Sequence, residues 1–152
     1  MISNGKFYES QFEEATIELL REAHWQYAFG DDIHRKYTDP LIEEDLRNFL
    51  TVQYKDKNLT TSEMDSIVAN LRNTGGQNDY YALRNAFLLY RDGYDFAYSD
   101  GRDNPFRLEY IDFEHPDHNI FRCVNQFVME QGRENRRPDI LLFINGIPVC
   151  II

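Results

Sequence analysis

The sequence has little that would anchor the chain in a membrane or cross-link it. No apolar run approaches the roughly 20 residues that span a bilayer. The first ten residues lack the apolar core of a signal peptide. The two cysteines, Cys123 and Cys150, both lie in apolar, β-prone stretches, which predicts free buried thiols in a reducing compartment. We therefore predict a cytoplasmic protein without a membrane partner.

Basic residues are also in the minority. The chain has 16 Lys and Arg against 26 Asp and Glu, a net charge of −10. Such a surface does not coat nucleic acid by electrostatics alone, although an enzyme acting on DNA held by another module remains compatible with it. Arg133, Arg136 and Arg137 form a local basic cluster. A charged loop before a strand is often only solvated, so this cluster by itself does not indicate DNA binding.

The first half of the chain has apolar residues at helical spacing. The sequence lacks internal repeats, low-complexity stretches and linkers. Asp39 is expected to cap the second helix, with Pro40 at its first position. Thr60 and Glu63 have capping-box spacing at the start of the third, and Gly93 follows the fourth. The predicted helices cover 9–28, a segment from 40, a segment from 61, and 79–91.

The second half changes to β-prone segments separated by turn formers. Asn145-Gly146 is a strong hairpin signal between the last two segments. Both of these are apolar at successive residues, which is typical of central strands covered on two faces. The expected fold is one α/β (α+β) domain, mainly helical over 1–93 and mainly a mixed central sheet over 94–152. The predicted strands cover 94–98, 106–113, 119–129, 139–144 and 147–152.

Two glutamates fall on the predicted buried face of the first helix. Advancing about 100° per residue from Phe12, Glu9 lies at about 60° and Glu13 at about 100°. A buried carboxylate needs a cation, a metal or a donor beside it. Glu9 can instead be a solvated residue at the helix start, whereas Glu13 lies one turn deeper and is expected to face a site. The predicted face comprises Phe12, Thr16, Ile17, Leu20 and Ala23.

Asp139 opens the most apolar segment of the chain, although aspartate is disfavoured in strands. One interpretation is a strand-start residue that caps backbone amides. The hairpin suggests another. A two-residue loop places Asp139 opposite Ile152, and a three-residue loop places it opposite the next position. A polar residue following Ile152 would then lie alongside Asp139 and could share a ligand with it.

The last 17 residues, RRPDILLFINGIPVCII, resemble the PD-(D/E)xK nuclease signature. The form is that of the N-terminal endonuclease domain of the type I restriction enzyme R subunit, which is the motor and cleavage subunit. The likeness extends to YESQFEEATIELL, LRNAFLLYRDG and YIDFEHPDHNIFRCVNQF, and so covers nearly the whole chain. In that family Glu-Leu-Lys follows the apolar run. Here the chain stops before it, and the downstream Gln-Tyr motif and both helicase-like ATPase lobes are also missing.

The resemblance implies an incomplete restriction-endonuclease-like core from a Mg²⁺-dependent DNA phosphodiesterase. Asp139 would bind Mg²⁺ and Glu13 would match the acid on the family's first helix, with Glu9 as a further candidate ligand. Arg136 and Arg137 would hold the DNA backbone. ATP would bind the absent motor domains, and the partners would be double-stranded DNA and the methylation and specificity subunits. The fragment itself is expected to be inactive.

The alternative is a non-catalytic module with a degenerate nuclease fold that docks to partner subunits. Glu-x-Lys after Ile152 would favour the nuclease. The HPDH stretch, His115 to His118, has metal-like spacing for a helix, but it lies in a proline turn, so a loop role is expected. His24 and His34 have no convincing partners in the sequence.

Overall fold

The computed structural model describes residues 8–152. These residues form helices and mixed sheets, which confirms the predicted α+β class. The helices are α1 (Glu9–Glu22), α2 (Glu43–Gln53), α3 (Thr61–Arg72) and α4 (Asp79–Asp92), with 3-10 turns at Gly30–Asp32, Lys55–Lys57 and Pro116–His118. The strands are β1 (Gln26–Phe29), β2 (Tyr94–Phe96), β3 (Phe106–Leu108), β4 (Phe121–Asn125), β5 (Met129–Gln131), β6 (Glu134–Arg136), β7 (Ile140–Ile144) and β8 (Ile147–Ile151).

The chain divides into two compact units. The first joins the residues up to Pro40 to Phe121–Ile152, and the second is Leu41–Ile120. A four-stranded sheet of order β1-β4-β7-β8 forms the centre of the first unit. Strand β1 pairs parallel with β4, and the other neighbours are antiparallel. Its buried apolar side chains are Cys123, Val124, Phe127, Ile140, Leu141, Phe143 and Ile147.

The Asn145-Gly146 hairpin is confirmed. Both residues have positive φ, 51° and 76°, as a type I′ turn requires. The pairing of β7 with β8 shifts by one residue between Leu142 and Phe143. Each β7 residue before this shift therefore pairs with a β8 residue one position further along the chain. Ile140 therefore exchanges backbone hydrogen bonds with Ile152 (Ile152 N to Ile140 O, 2.9 Å). In this register the position opposite Asp139 is the one after Ile152, so a two-residue turn with a bulge gives the pairing expected for a three-residue loop.

The first predicted helix, 9–28, is too long. Helix α1 ends at Glu22, and His24 adopts a left-handed φ of 67°. Trp25 N donates to Leu20 O at 3.0 Å, which is the long hydrogen bond of a Schellman C-terminal motif. The residues that follow form β1 instead, because parallel pairing with β4 outweighs their helical pattern.

The single strand predicted over 119–129 is interrupted. Strand β4 ends at Asn125 because Gln126 has a left-handed φ of 56°. The chain then forms the β5–β6 hairpin, which was not predicted from the sequence. Gly132, with φ 65°, occupies the first central position of its two-residue turn.

The prediction that β8 is covered on both faces is wrong for most of the strand. Within residues 8–152, β8 is at the edge of the four-stranded sheet. Val149 is 43% exposed and Ile151 is 63% exposed. Cys150 is exposed as well, so of the two predicted buried thiols only Cys123 is buried. Burial raises the pKa of the Cys123 thiol.

The second unit contains α2, α3, α4 and the β2–β3 pair. Helix α2 begins at Glu43 and not at Pro40. The buried residues Leu41 and Ile42 precede it in non-helical conformation. The acidic residues of its first turn interact favourably with the helix dipole. Helix α4 ends before Gly93 as predicted. The face of α4 that carries Leu83 and Phe87 is exposed, at 71% and 59% for these side chains. The core comprises Leu46, Phe49, Leu50, Ile67, Val68, Leu71, Phe96, Leu108 and Tyr110.

The predicted capping box at the start of α3 is confirmed, and its glutamate has a second partner. Glu63 N donates to Thr60 Oγ1 at 3.2 Å, and Thr60 N donates to Glu63 Oε2 at 2.9 Å. Arg102 donates to both oxygens of Glu63, at 2.8 and 2.7 Å. These hydrogen bonds, from Arg102 above all, hold the pKa of Glu63 well below its usual 4.5.

We expect Glu63→Gln to destabilise the protein at neutral pH and to remove part of its acid sensitivity. Because the folded-state pKa is depressed, the ionised carboxylate stabilises the fold fully above about pH 4.5 and loses this contribution as the pH falls. Urea unfolding midpoints of both proteins should therefore converge between pH 7 and pH 3. Glu18→Gln, at an exposed position in the middle of α1, should change neither the midpoint nor its pH dependence. An equal gap at both pH values would contradict the assignment.

Candidate active site

Residues from β4, β7 and α1 come together at one end of the central strands of the first unit's sheet. Because β4 and β7 are antiparallel, the end of β4 and the start of β7 lie side by side. Gln126 N donates to Asp139 O at 3.0 Å, extending the ladder by one bond. Asn125 Nδ2 also donates to Asp139 O, at 3.1 Å. The backbone of Asp139 is therefore fixed by the two residues at the end of β4.

Glu13 lies on the packed face of α1. Thr16, Ile17 and Leu20 are the other half-buried residues of that helix, and Glu13 shares their side. Phe12 is 67% exposed, so the packed face is rotated away from the one predicted, which also included Ala23. Glu9, one turn before Glu13, is exposed. Glu13 is thus the more buried of the two glutamates.

Two side-chain amides connect Glu13 to Asp139. Gln126 Nε2 lies 3.2 Å from Asp139 Oδ1 and 3.5 Å from Glu13 Oε1. Asn125 Nδ2, in a side chain that is 9% exposed, donates to the same Glu13 oxygen. Amide N–H donors between two carboxylates reduce their mutual repulsion without adding a positive charge. The arrangement holds two acids close together and leaves both able to bind a cation.

A cleft of about 130 Å³ opens beside these acids. Its lining residues are Glu9, Phe12, Glu13, Thr16, Asp139, Ile140 and Ile152. All three predicted acids therefore border one cavity, and none of its seven lining residues is basic. Carboxylate oxygens without a neighbouring cation are the ligands that Mg²⁺ and Ca²⁺ prefer. The donor set fits a hard divalent ion.

Gly30 fixes the backbone at the end of β4. A Cβ atom on this buried glycine would overlap the carbonyl of Gln126 and lie 3.0 Å from Phe127 Cα. Only glycine allows the chain after β1 to approach so closely. The left-handed turn at Gln126 directs its side chain toward the acids. The backbone of this turn packs directly against Gly30, which has no side chain.

Arg35 holds the segment that follows Gln126. Its guanidinium stacks over the Phe127 ring at 3.4 Å from the centroid and donates to the backbone carbonyl of Val128. It also donates to Asp39 O at 2.9 Å. Burial lowers the pKa of Arg35, but arginine stays protonated at neutral pH. This arginine was not singled out from the sequence, since Val128, whose carbonyl it binds in the segment after Gln126, is 93 residues away.

The two arginines predicted to hold DNA lie elsewhere. Arg136 is exposed at the end of β6, where its Nη2 is 3.4 Å from Glu134 Oε2. It borders a separate groove formed with Tyr37, Thr38, Pro40, Met129, Glu130 and Gln131. Arg137 is exposed in the chain between β6 and Asp139. Neither side chain lines the acidic cleft.

Asn125 and Gln126 are the site residues that sequence reasoning missed. They lie in the Asn-Gln-Phe segment that contributed to the resemblance, but no role was assigned to them. Two adjacent amides directly after an apolar run were the available signal. Amides do not titrate, and their partners come from α1 and β7, so the sequence alone did not connect them to the acids.

Comparison with known families assigns the chain to one of them. A family model described as type I restriction enzyme R protein N terminus matches residues 6–152. The chain belongs to this family. It is 26% identical over 153 residues to "Type I restriction enzyme HindI endonuclease subunit" from Haemophilus influenzae, covering 94% of the chain. It is 28% identical over 147 residues to "Putative type I restriction enzyme MjaIXP endonuclease subunit" from Methanocaldococcus jannaschii, covering 91% of the chain.

This restriction enzyme family membership confirms the resemblance found in the sequence. The chain spans 14% of the length of each of these two endonuclease subunits. Among the helices of residues 8–152, none combines the length and the hydropathy needed to cross a membrane.

Proposed function

We propose that this chain is the N-terminal nuclease portion of a type I restriction enzyme R subunit. The full-length subunit would cleave double-stranded DNA in the cytoplasm, in a complex with methylation and specificity subunits. Its ATP would be bound by motor domains outside these 152 residues. The observation that carries the proposal is that Glu13 and Asp139 converge at the ends of the central strands. The side chains of Asn125 and Gln126 connect them.

Asp139 and Glu13 would hold Mg²⁺, with Glu9 within reach at the mouth of the cleft. When bound, the ion would polarise the phosphate and activate water for phosphodiester hydrolysis. Gln126 orients the Asp139 carboxylate, and Asn125 fixes the Asp139 backbone and one Glu13 oxygen. The apolar side chains of Phe12, Ile140 and Ile152 would limit access of water to the cleft.

The remaining groups of the nuclease signature would follow Ile152. In the observed register, the next position lies opposite Asp139. An acid and a lysine starting there would add a second metal ligand and a positive charge to the cleft. Without them, we propose that the 152-residue chain binds metal weakly and does not cleave DNA.

Metal binding by the present chain tests this assignment. We expect Mn²⁺ to broaden the amide NMR signals of residues near Glu13 and Asp139 before others, and Mg²⁺ to compete with it. Asp139→Asn and Glu13→Gln should each weaken Mn²⁺ binding by at least about tenfold, since each removes a charged ligand. Glu14→Gln, on the exposed side of α1, is the matched control and should bind normally. Uniform broadening in all four proteins would remove the support for a site in this cleft.

The second candidate function is a non-catalytic docking module. It is favoured by the exposed aromatic and aliphatic side chains of α4, where Tyr80 (69% exposed), Leu83 and Phe87 repeat at helical spacing. A docking module would tolerate loss of the acids but not of this face. Substitution of Leu83 and Phe87 should then impair subunit assembly, whereas Asp139→Asn should not.

A further inference from the structure

Three potential metal ligands meet in the second unit, in the segment between β3 and β4. Asp112 is 5% exposed, and His115 and His118 lie on the surface above it. One ligand atom from each residue lies within 4.8 Å of the other two. We propose that Asp112, His115 and His118 form a binding site for a divalent transition-metal ion, with Zn²⁺ or Ni²⁺ as the best chemical match.

A 3-10 turn brings the two imidazoles together. The turn covers Pro116–His118, with His115 as its N-cap residue. Side chains three positions apart eclipse each other in this type of helix. The two rings consequently stack, with centroids 4.9 Å apart and planes 19° apart. The stretch forms a loop, as expected from the sequence. The 3-10 turn in this loop places both rings on the same side.

Both rings present the same nitrogen to the same oxygen. His118 Nδ1 is 3.0 Å and His115 Nδ1 is 3.5 Å from Asp112 Oδ2. Ligand atoms about 2.0–2.2 Å from a tetrahedral Zn²⁺ lie roughly 3–3.5 Å from one another. Small side-chain rotations would bring the three atoms to those separations. A single cation satisfies both ring nitrogens and the carboxylate at once.

Hydrogen bonds from neighbouring groups already hold the carboxylate in place. Asp112 Oδ1 accepts from His115 N at 2.8 Å and from Glu114 N at 3.1 Å, and Gln53 Nε2 donates to Oδ2 at 3.0 Å. Asn119 clamps the loop by pairing with both the N–H and the C=O of Asp112. Outer hydrogen bonds of this kind orient first-sphere ligands and increase metal affinity.

The ligand set separates this site from the acidic cleft. Two imidazoles and one carboxylate suit Zn²⁺, Ni²⁺ and Cu²⁺, whereas carboxylates alone suit Mg²⁺. The His115 and His118 side chains are 60% and 50% exposed, so water can complete the coordination. The proposal does not depend on the nuclease assignment, because it uses none of the residues of the cleft.

Calorimetric titration of the 152-residue chain with Zn²⁺, in excess Mg²⁺ to occupy the cleft, tests the site. We expect one Zn²⁺ per chain, bound with a dissociation constant below about 100 µM. His115→Ala and His118→Ala should each weaken binding by about 10–100-fold, and the double substitution should remove it. His24→Ala and His34→Ala, at the two other histidines of the chain, should bind Zn²⁺ normally.

Imidazole NMR signals provide a second measurement. Zn²⁺ should shift the ring signals of His115 and His118 and leave those of His24 and His34 in place. Two outcomes would overturn the proposal. One is the lack of saturable binding below about 1 mM, which would leave the cluster as a hydrogen-bonded loop cap. The other is an equal loss of affinity in the control variants, which would indicate dispersed surface binding.

Discussion

Asp139→Ala in the full-length subunit, assembled with its partner subunits, is expected to abolish DNA cleavage. The rate of double-strand scission should fall by at least about a thousandfold, because a divalent ion contributes several kcal/mol of charge stabilisation to such reactions. ATP hydrolysis and translocation should continue, since motor domains outside this segment would perform them. The measurement is cleavage of circular plasmid DNA beside ATP turnover in the same preparation.

The matched control for this experiment is Glu134→Ala. Glu134 is an exposed acid of β6, five residues before Asp139, and it does not line the cleft. Its removal changes the net charge equally and should leave cleavage intact. Normal cleavage by the Asp139 variant would refute the site assignment. Loss of both cleavage and ATP turnover would instead indicate failed assembly, which neither candidate function predicts for this variant.

The two acids of the candidate site were predictable because they conflict with their surroundings. Asp139 opens an apolar strand segment in which aspartate is disfavoured, and Glu13 falls within the packed stripe of a helix. Such conflicts carry an energetic cost, so a sequence that retains them needs a compensating partner. The identity of the partners was not predictable. Asn125 and Gln126 reach the acids only after β4 and β7 pair, and pairing between distant segments leaves little local trace.

The same limit explains the errors in the fold. Local signals gave the type and approximate extent of α3 and α4, because the capping box and the terminal glycine act within a few residues. Strand β1 was assigned to a helix because its strand partner, β4, lies nearly a hundred residues away. The apolar composition of β8 predicted a central strand. It could not specify which neighbours lie beside that strand, and among residues 8–152 β8 is an edge strand.

The amides also explain how two acids can share a small space before a metal binds. Each amide N–H lies between carboxylate or carbonyl oxygens, so the site is preorganised by neutral donors. A cation entering the cleft would then meet ligands whose positions are already fixed, which lowers the ordering cost of binding. Exchanging donors for acceptors at this point should therefore have a large effect on the fold itself.

Asn125→Asp is expected to destabilise the protein by about 3 kcal/mol at pH 7. The substitution keeps the shape of the side chain, but it replaces the N–H donor to Glu13 Oε1 and Asp139 O with an acceptor in a site that is 9% exposed. Burial and the Glu13 charge raise the pKa of the new carboxyl in the folded state. The loss of stability should therefore shrink as the pH falls toward about 4 and the carboxyl becomes protonated. Asn135→Asp, on exposed β6, should be nearly neutral.

A double substitution separates this polarity argument from a simple packing defect. Glu13→Gln combined with Asn125→Asp restores one donor and one acceptor between the same two positions, with their roles exchanged. We expect the double variant to recover at least half of the lost stability, measured as the free energy of unfolding in urea. If the double variant instead loses as much stability as the two single variants together, the Asn125 side chain stabilises the fold by packing alone. Recovery would assign the effect to the amide–carboxylate contact that joins α1 to the end of β4.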